Sequence, residues 1–288
     1  MLVKKLLKEE LENVIYVLKK IMICLMCIVF WLEKTTQLKW IQLESVGFGE
    51  YQNLKNGEGF IMTNLKGFFS VPVAETVLAG ILGFYRGVDR LTLHKHQKKW
   101  VGSAIRSELQ LLQGSKVLIA GGGNIGKQIA KLLSAFEVQT IVFDTFIPDP
   151  DISSLSELDS ILPQVDIVVS SLPETKNTIG LFSEARLNKM KGSALFVNVG
   201  RGAVVDEQAL INLLLKEKIG GCVLDVSHRE PLPSDNPLWS CPNTILTQHS
   251  GGGWTGEQDG RIMFFLDNLQ RFNQGKALLN VVDIEKGF

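Results

Sequence analysis

From residue 117 onward, the hydrophobic and polar positions define two kinds of segment that alternate along the chain. Short apolar runs typical of buried strands are separated by longer stretches with apolar residues at three- and four-residue spacing, which is typical of helices. The strand candidates are residues 117–120, 140–143, 166–170, 194–199, 221–225 and 244–247, and the helix candidates are residues 125–136, 154–162, 183–190 and 206–216. This alternation predicts an α/β fold with a doubly wound parallel sheet.

A second set of elements is predicted outside this region. They are a short strand, a glycine-containing turn, a long helix with Pro72 near its first turn and an amphipathic helix, at residues 38–43, 44–49, 72–90 and 258–272. The helical pattern breaks at residues 95–106. A chain of 288 residues suits two medium-sized domains. We predict a larger domain over residues 72–255 and a smaller, discontinuous one over residues 1–71 and 256–288.

An apolar run near the N-terminus resembles a membrane anchor but is short for one. Residues 21–32 carry no charge and follow Lys19 and Lys20. A helix of this length reaches ~18 Å, whereas the hydrocarbon core of a bilayer is about 30 Å thick. No small-residue cleavage site follows the run. We therefore expect a buried core element in a cytoplasmic protein, with a membrane anchor as the less favoured alternative.

Charge and cysteine usage narrow the class of partner. The 30 basic and 30 acidic residues cancel, which argues against a phosphate-tracking surface for nucleic acid and against an electrostatic membrane patch. Cys24 and Cys27 have CxxC spacing, but no second such pair and no nearby histidine accompany them. We expect reduced thiols and no metal site there. A small molecule is the expected partner.

The most specific motif is a glycine-rich turn directly after the first predicted strand of the sheet. Residues 116–126 read KVLIAGGGNIG and lead into a helical pattern. Gly121 permits a tight turn, Gly123 lets the backbone approach a pyrophosphate, and Gly126 lets helix and strand pack closely. The helix that starts here offers unpaired N–H groups to the phosphates. The turn therefore predicts dinucleotide binding.

An acidic residue indicates which dinucleotide is bound. Asp144 follows the next strand, 18 residues after Gly126, about where a carboxylate hydrogen-bonds the 2′-OH of the adenosine ribose. A phosphate on that hydroxyl would meet this carboxylate, and no Arg or Lys lies between Asp144 and Lys176 to accommodate it. The sequence thus favours NAD over NADP.

Polar residues after the later strands predict the chemistry. Arg201 follows the fourth strand, Glu230 lies in the loop after the fifth, and His249 follows the sixth. Ligands of such sheets bind at the carboxyl ends of the strands. Hydride transfer to a carbonyl needs a proton donor, a cation for a carboxylated substrate and a partner that keeps the donor protonated, and these three residues supply each part. Each alone has a structural alternative, a satisfied histidine or a solvated loop charge, but their joint placement favours a site.

An ordered series of motifs resembles one known family over about residues 38–288. The motifs are VAE at residues 73–75, GGGNIG at 121–126, SLPET at 171–175 with Thr178, NVGRGAVVD at 198–206, LDV at 224–226, EPL at 230–232, PN at 242–243 and TQH at 247–249. The chain resembles the D-isomer-specific 2-hydroxyacid dehydrogenases, which include D-lactate, glyoxylate/hydroxypyruvate and phosphoglycerate dehydrogenases. The resemblance implies a Rossmann-type cofactor domain and a smaller flavodoxin-like domain, here expected to be shortened at its N-terminus.

The resemblance also implies roles for individual residues. It implies Arg201, Glu230 and His249 as the catalytic set, and Val46, Gly47, Arg201 and His249 as substrate contacts. The implied NAD contacts are Gly121, Gly123, Asn124, Ile125, Gly126, Asp144, Leu172, Pro173, Thr178, Val199, Gly200, Arg201, Asp225 and His249. A homodimer formed around the helices near residues 75–115 is implied as well. Gln248 departs from the family, which commonly has a proline before the catalytic histidine.

These observations predict an NAD-dependent oxidoreductase that interconverts a D-2-hydroxy acid and its 2-keto acid. Two alternatives stay open: an NAD(H)-binding regulator without catalysis, and an enzyme whose shortened domain has cost it turnover. The sequence does not choose the hydroxy acid.

Overall fold

A computed structural model describes residues 14–16, 39–47 and 60–283 of the chain. Its contacts divide the chain into two compact units, a small unit of Met1–Phe68 with Trp254–Phe288 and a large unit of Phe69–Gly253. The apolar run at residues 21–32, with Cys24 and Cys27, lies outside the described residues. The assignment of these parts of the chain as substrate and cofactor domains stays a prediction.

The described strands of the small unit form a parallel sheet. Its strands are β1 (Val14–Tyr16), β2 (Trp40–Gln42) and β3 (Ile61–Thr63), in the order β1-β2-β3. The predicted strand at residues 38–43 is thus present as the shorter β2. All three residues of β2 are buried, as expected for the middle strand of a parallel sheet.

The large unit contains a six-stranded sheet, and all six strands predicted from the apolar runs are present. They are β4 (Lys116–Ala120), β5 (Gln139–Phe143), β6 (Ile167–Ser170), β7 (Leu195–Asn198), β8 (Gly221–Leu224) and β9 (Thr244–Leu246). All neighbouring pairs are parallel, in the order β5-β4-β6-β7-β8-β9. The chain leaves β4 toward one edge and returns to β6 on its other side, so the topological switch point lies between these two strands.

Helices cover both faces of the six-stranded sheet. They are α1 (Ser70–Tyr85), α3 (Asn124–Ser134), α4 (Leu155–Ile161), α5 (Glu184–Leu187) and α6 (Glu207–Leu215). A further helix, α2 (Val88–His96), follows α1 and has no buried residue. Leu118, Val168 and Phe196 point into one core, and their strand neighbours Ile119 and Val169 point into the other. Both faces are buried, which is why the strands read as continuous apolar runs. The doubly wound α/β fold is confirmed.

The prediction of a single helix over residues 72–90 is wrong, because the helix is interrupted at Gly87. The first helix, α1, ends at Tyr85, and Gly87 adopts φ +63° in the left-handed region that favours glycine. The following helix, α2, is bent by 67° from α1. Among the described helices, none is by itself long and apolar enough to cross a bilayer. Only the combined length and composition of α1 and α2, which are bent against each other, would suffice.

The last helix, α7 (Glu257–Asn273), belongs to the small unit. Trp40 of β2 stacks on Phe265 and on Phe272 of this helix, each with ring centroids 5.6 Å apart. Fully buried Asn268 donates to the side chain of Gln42, 3.0 Å away. These contacts fix α7 against the sheet of its own unit.

Asp166, just before β6, provides a test of how the large sheet is held together. Its carboxylate accepts hydrogen bonds from Lys116 N (2.8 Å) and Lys191 Nζ (2.7 Å). Burial acts to raise the pKa of Asp166, but these hydrogen bonds and the charges of both lysines outweigh it and hold the pKa below its usual range. The ion pair is one third exposed and contributes little, so the backbone bond matters more.

We expect Asp166→Ala to lower the free energy of unfolding by about 1–2 kcal/mol near neutral pH. Because the folded-state pKa is depressed, this contribution is present above the usual carboxyl pKa of about 3.9 and is lost as the pH falls through the folded value. Urea unfolding of both proteins near neutral pH and below about pH 3 measures the difference. An equal gap at both pH values would contradict this account.

Candidate active site

The glycine-rich turn joins β4 to α3 at the switch point of the large sheet. Gly121 has φ +105°, and a side-chain methyl there would lie 2.8 Å from Ser171 Oγ. A methyl at Gly126 would overlap the carbonyl oxygen of Gly121, whereas a methyl at Gly123 would meet nothing within 4 Å. No side chain caps the start of α3. The turn is therefore closed where strand and helix pack and open at Gly123, which fits a pyrophosphate at the helix N-terminus.

Asp144 connects the end of β5 to this turn. Its carboxylate is buried and accepts hydrogen bonds from Gly122 N (2.7 Å), Phe146 N (2.8 Å) and Ile147 N (3.3 Å). The predicted nucleotide acid therefore lies beside the glycine-rich turn and braces it. Its contact with a ribose hydroxyl stays a prediction.

The loop after β6 carries the next group of predicted NAD contacts. Thr178 Oγ1 donates to Pro173 O (2.6 Å) and accepts from Thr175 N (2.8 Å), which closes the loop on itself. Ser171 Oγ donates to Gly121 O at 3.0 Å. The loop is thereby tied to the glycine-rich turn, and the two together border the switch point.

The loop after β7 positions Arg201. Asn198 is fully buried, accepts from Gly200 N (3.1 Å) and donates to Arg201 O (3.0 Å), while Arg201 Nη1 donates to Gly200 O (2.7 Å). A methyl at Gly200 would overlap the carbonyl oxygen of Leu172, so this loop touches the one after β6 through backbone. Asn198 was missed as a functional residue, although its place at a strand end was a signal.

The loops after β8 and β9 bring Glu230 and His249 together. Glu230 Oε2 lies 2.5 Å from His249 Nδ1, and Glu230 Oε1 accepts from Ser227 N at 3.0 Å. The imidazole side chain is 51% exposed and the carboxylate side chain 36%. A carboxylate on Nδ1 holds the ring with Nε2 free to exchange a proton, and no described residue hydrogen-bonds to Nε2.

The backbone of Gly202 connects the Arg201 loop to this pair. A methyl at Gly202 would overlap the backbone of Ser227 and His228, in the loop that carries Glu230. No described acidic side chain forms an ion pair with Arg201. The structure therefore places Arg201, Glu230 and His249 on adjoining loops, with a direct hydrogen bond only between the last two.

Asp225, directly after β8, accepts hydrogen bonds from the loop that carries His249. Its Oδ1 accepts from Thr247 Oγ1 (2.5 Å), Ser250 N (3.1 Å) and Gly251 N (3.0 Å), and its carbonyl accepts from His249 N (2.5 Å). Its Oδ2 accepts no hydrogen bond from the described part of the chain. This oxygen is therefore available to accept a hydrogen bond from a ligand amide, as predicted for the amide of nicotinamide.

The backbone at Gln248 explains the departure from proline at this position. Gln248 and His249 both have φ +56°, in the left-handed region, whereas the ring of proline fixes φ near about −65°. Hydrogen bonds hold the backbone on both sides of Gln248, since Thr247 N donates to Leu224 O and His249 N donates to Asp225 O.

We expect Asp225→Ala to lower the free energy of unfolding by about 3 kcal/mol, because three donors lose one acceptor. Hydrogen exchange at the amides of Ser250 and Gly251 should accelerate. Asp225→Asn is the control, since its Oδ1 can still accept these bonds. If the alanine variant matched wild type in both measurements, the carboxylate would not hold the loop.

The predicted substrate contacts of the small unit lie in the bend after β2. Val46 O accepts from Asn64 Nδ2 at 2.9 Å, and Gly47 O accepts from Ser45 Oγ at 2.7 Å.

Among the described residues, no group of three or more His, Cys, Asp or Glu side chains is arranged to hold a metal ion.

Comparison with protein families gives a match over most of the large unit. The model of the D-isomer specific 2-hydroxyacid dehydrogenase NAD-binding domain matches residues 78–251. These residues include the glycine-rich turn, Asp144 and all three predicted catalytic side chains. The match thus covers the region in which the geometry indicates a nucleotide site.

Individual relatives agree with the family match. Glyoxylate/hydroxypyruvate reductase B of Escherichia fergusonii is 31% identical over 259 residues, which cover 88% of this chain and 80% of the relative. D-3-phosphoglycerate dehydrogenase of Archaeoglobus fulgidus is 26% identical over 258 residues, and the match spans only 49% of its length. A solved D-isomer specific 2-hydroxyacid dehydrogenase family protein from Aeromonas salmonicida is 28% identical with a TM-score of 0.80, covering 98% of this chain and 89% of that one.

Proposed function

The chain belongs to the D-isomer-specific 2-hydroxyacid dehydrogenase family, and we propose that it catalyses NAD-dependent interconversion of a D-2-hydroxy acid and its 2-keto acid. The observation that carries this proposal is the His249–Glu230 pair, bonded at 2.5 Å at the carboxyl edge of a sheet whose first turn fits a dinucleotide. An acid–base pair beside a nucleotide cradle is what carbonyl reduction by hydride requires.

NAD is the cofactor of this family's binding domain, and when bound it donates or accepts the hydride. We propose that the residues of the turn between Gly121 and Gly126 receive the pyrophosphate. The carboxylate of Asp144 would accept a bond from a ribose hydroxyl and repel a 2′-phosphate, which favours NAD over NADP. Asp225 Oδ2 would accept from the nicotinamide amide.

The proton of the reaction is assigned to His249. In the reductive direction, Nε2 donates a proton to the oxygen of the keto group as that oxygen gains charge, and in the oxidative direction it removes the proton. Glu230 accepts from Nδ1–H, which leaves Nε2 free to take up a proton, and it stabilises the imidazolium form that donates from Nε2. Half exposure of the ring lets a small substrate reach this nitrogen.

The substrate carboxylate is assigned to Arg201. A guanidinium offers a planar fork of donors that matches a carboxylate. Arg201 now bonds to a neighbouring carbonyl oxygen, and its remaining donors are free of described acidic partners. The same cation polarises the adjacent keto group and so favours hydride attack.

An absorbance assay tests the proposal. NADH consumption is followed with glyoxylate, hydroxypyruvate, pyruvate and phosphohydroxypyruvate, and turnover with at least one of them is expected. Binding of NADH without turnover of any of these acids would overturn the enzyme proposal and leave an NAD(H)-binding regulator or an inactive relative. The pattern of activity also identifies the side chain that the site accepts.

We further propose a homodimer formed through the segment near residues 75–115, in the cytoplasm, where NAD and small keto acids are available. Apolar side chains on this segment are unusually exposed, with Leu93 at 63%, Leu111 at 69% and Trp100 at 96%. Large apolar side chains with this exposure support a protein interface on this segment.

Trp100→Glu is expected to convert the dimer to a monomer, because the charge would have to be buried in the apolar interface. Light scattering after size exclusion measures the mass of both proteins. Trp239→Glu is the control, since Trp239 is also partly exposed but lies outside the segment. A wild-type monomer at micromolar concentration, or a Trp100 variant that stays dimeric, would contradict this interface.

A further inference from the structure

The bend after β2 in the small unit has its carbonyl oxygens tied and its N–H groups available. Ser45 O accepts from Leu65 N (3.2 Å), Val46 O from Asn64 Nδ2 (2.9 Å) and Gly47 O from Ser45 Oγ (2.7 Å). Within residues 39–47 and 60–283, nothing accepts a hydrogen bond from Val46 N or Gly47 N. Val46 and Gly47 are partly exposed, so these two consecutive N–H groups are open to a ligand.

Because the peptide bond is planar, the direction of each carbonyl group also determines the direction of the N–H group that follows it. In a trans peptide the C=O and the following N–H point in opposite directions. Ser45 O and Val46 O both point to the backbone and side chain of residues 64 and 65. The N–H groups of Val46 and Gly47 therefore both point away from that segment, and successive N–H groups on one side form a concavity for an anion.

Asn64 is the side chain that sets the second of these peptides. It is only 2% exposed, its own N donates to Asn280 O (3.0 Å) and its Oδ1 accepts from Lys66 N (3.0 Å). Because Oδ1 faces a donor, the side-chain amide can present only Nδ2 to Val46 O, and the orientation of the amide is unambiguous. Asn64 is thus a fixed donor buried behind the bend.

We propose that Asn64 is a positioning residue for the substrate carboxylate: by holding Val46 O it aims Gly47 N–H, together with Val46 N–H, at one carboxylate group. The proposal rests on the proposed function for the identity of the carboxylate as that of a 2-keto acid. Asn64 does not touch the substrate and acts only through the peptide that it orients. Its loss should weaken substrate binding in the ground state and the transition state alike.

The kinetic test compares Asn64→Asp with the matched control Asn268→Asp. Both asparagines are buried in the small unit, and both use Nδ2 as donor and Oδ1 as acceptor, since Asn268 donates to Gln42 Oε1 and Leu279 O and accepts from Leu279 N. Only Asn64 contacts the bend. Asn64→Asp places a carboxylate oxygen against Val46 O, so the peptide must turn.

We expect Asn64→Asp to raise KM for the keto acid about tenfold or more with kcat changed less than about threefold, and to leave the dissociation constant of NADH unchanged. Asn268→Asp should leave KM within about twofold of wild type. Damage to folding alone lowers the active fraction and hence kcat, not affinity. Equal KM values in the two variants would overturn the proposal. If either aspartate variant fails to fold, Asn64→Ala and Asn268→Ala are compared with the same criteria.

A binding measurement separates this proposal from the proposed function. Oxalate is titrated into ¹⁵N-labelled protein, with and without NADH, and the amide signals of Val46 and Gly47 are followed by NMR. They are expected to shift on saturation in wild type and in the Asn268 variant and to lose the response in the Asn64 variant. No shift in wild type overturns the proposal even if keto acids are reduced. A shift without any turnover supports it while the proposed function fails.

Discussion

Replacing His249 with asparagine is expected to lower kcat for the preferred keto acid by about 10²- to 10⁴-fold, the usual contribution of a positioned acid. Asparagine is chosen because position 249 has φ +56°, which asparagine tolerates better than most residues. The hydrogen bond from the backbone N of residue 249 to Asp225 O is retained, so the backbone of the loop should stay intact. Stopped-flow absorbance of NADH measures the loss.

A second variant tests whether the charge on Glu230 matters to this histidine. Glu230→Gln keeps the size of the side chain but offers one oxygen to the two donors, Nδ1–H and Ser227 N, and it removes the carboxylate that stabilises imidazolium. We expect a smaller loss of kcat than for His249→Asn. Turnover by His249→Asn within about threefold of wild type would remove His249 as the acid.

Gly126→Ala is expected to raise the dissociation constant of NADH more than about tenfold and to lower the free energy of unfolding by about 1–3 kcal/mol. The added methyl would overlap the carbonyl oxygen of Gly121, a backbone atom that no rotamer change can move. Either α3 moves away from β4 or the turn opens, and both changes displace the N–H groups that receive the pyrophosphate.

Two other glycines provide the controls for this variant. A methyl at Gly123 meets nothing within 4 Å, so Gly123→Ala should preserve stability but still weaken NADH binding by filling the open side of the turn. At Gly192 the nearest atom to an added methyl is Lys218 O at 3.8 Å, and Gly192→Ala should change neither property. Fluorescence titration with NADH and urea unfolding measure both. Wild-type affinity in Gly126→Ala and Gly123→Ala together would contradict the assigned pyrophosphate site.

Sequence patterns predicted the large sheet well because its four inner strands, β4, β6, β7 and β8, are buried on both faces. Such strands read as continuous apolar runs, and the residues that follow them necessarily lie at one edge of the sheet. This is why Glu230 and His249, 19 residues apart in the sequence, were expected together and are hydrogen-bonded. The assignment of their catalytic roles still depends on the experiments above.

The features that were missed depend on backbone conformation rather than on periodicity. The helical pattern continues across Gly87, so its left-handed conformation and the end of α1 at Tyr85 were not visible in the spacing of apolar residues. Asn198 and Asn64 act by fixing backbone carbonyl and N–H groups. In the sequence, such a role is visible only as a polar residue next to a strand, and many surface residues have the same pattern.

Isotope transfer tests most directly whether this chain moves a hydride between NAD and the second carbon of a keto acid. NADH that carries deuterium at both C4 positions is incubated with the protein and the preferred keto acid, and the product is examined by mass spectrometry. Wild type is expected to form a 2-hydroxy acid with one deuterium on its second carbon, and His249→Asn is expected to form much less of it. A hydroxy acid without deuterium, or no hydroxy acid from wild type, would contradict hydride transfer by this chain.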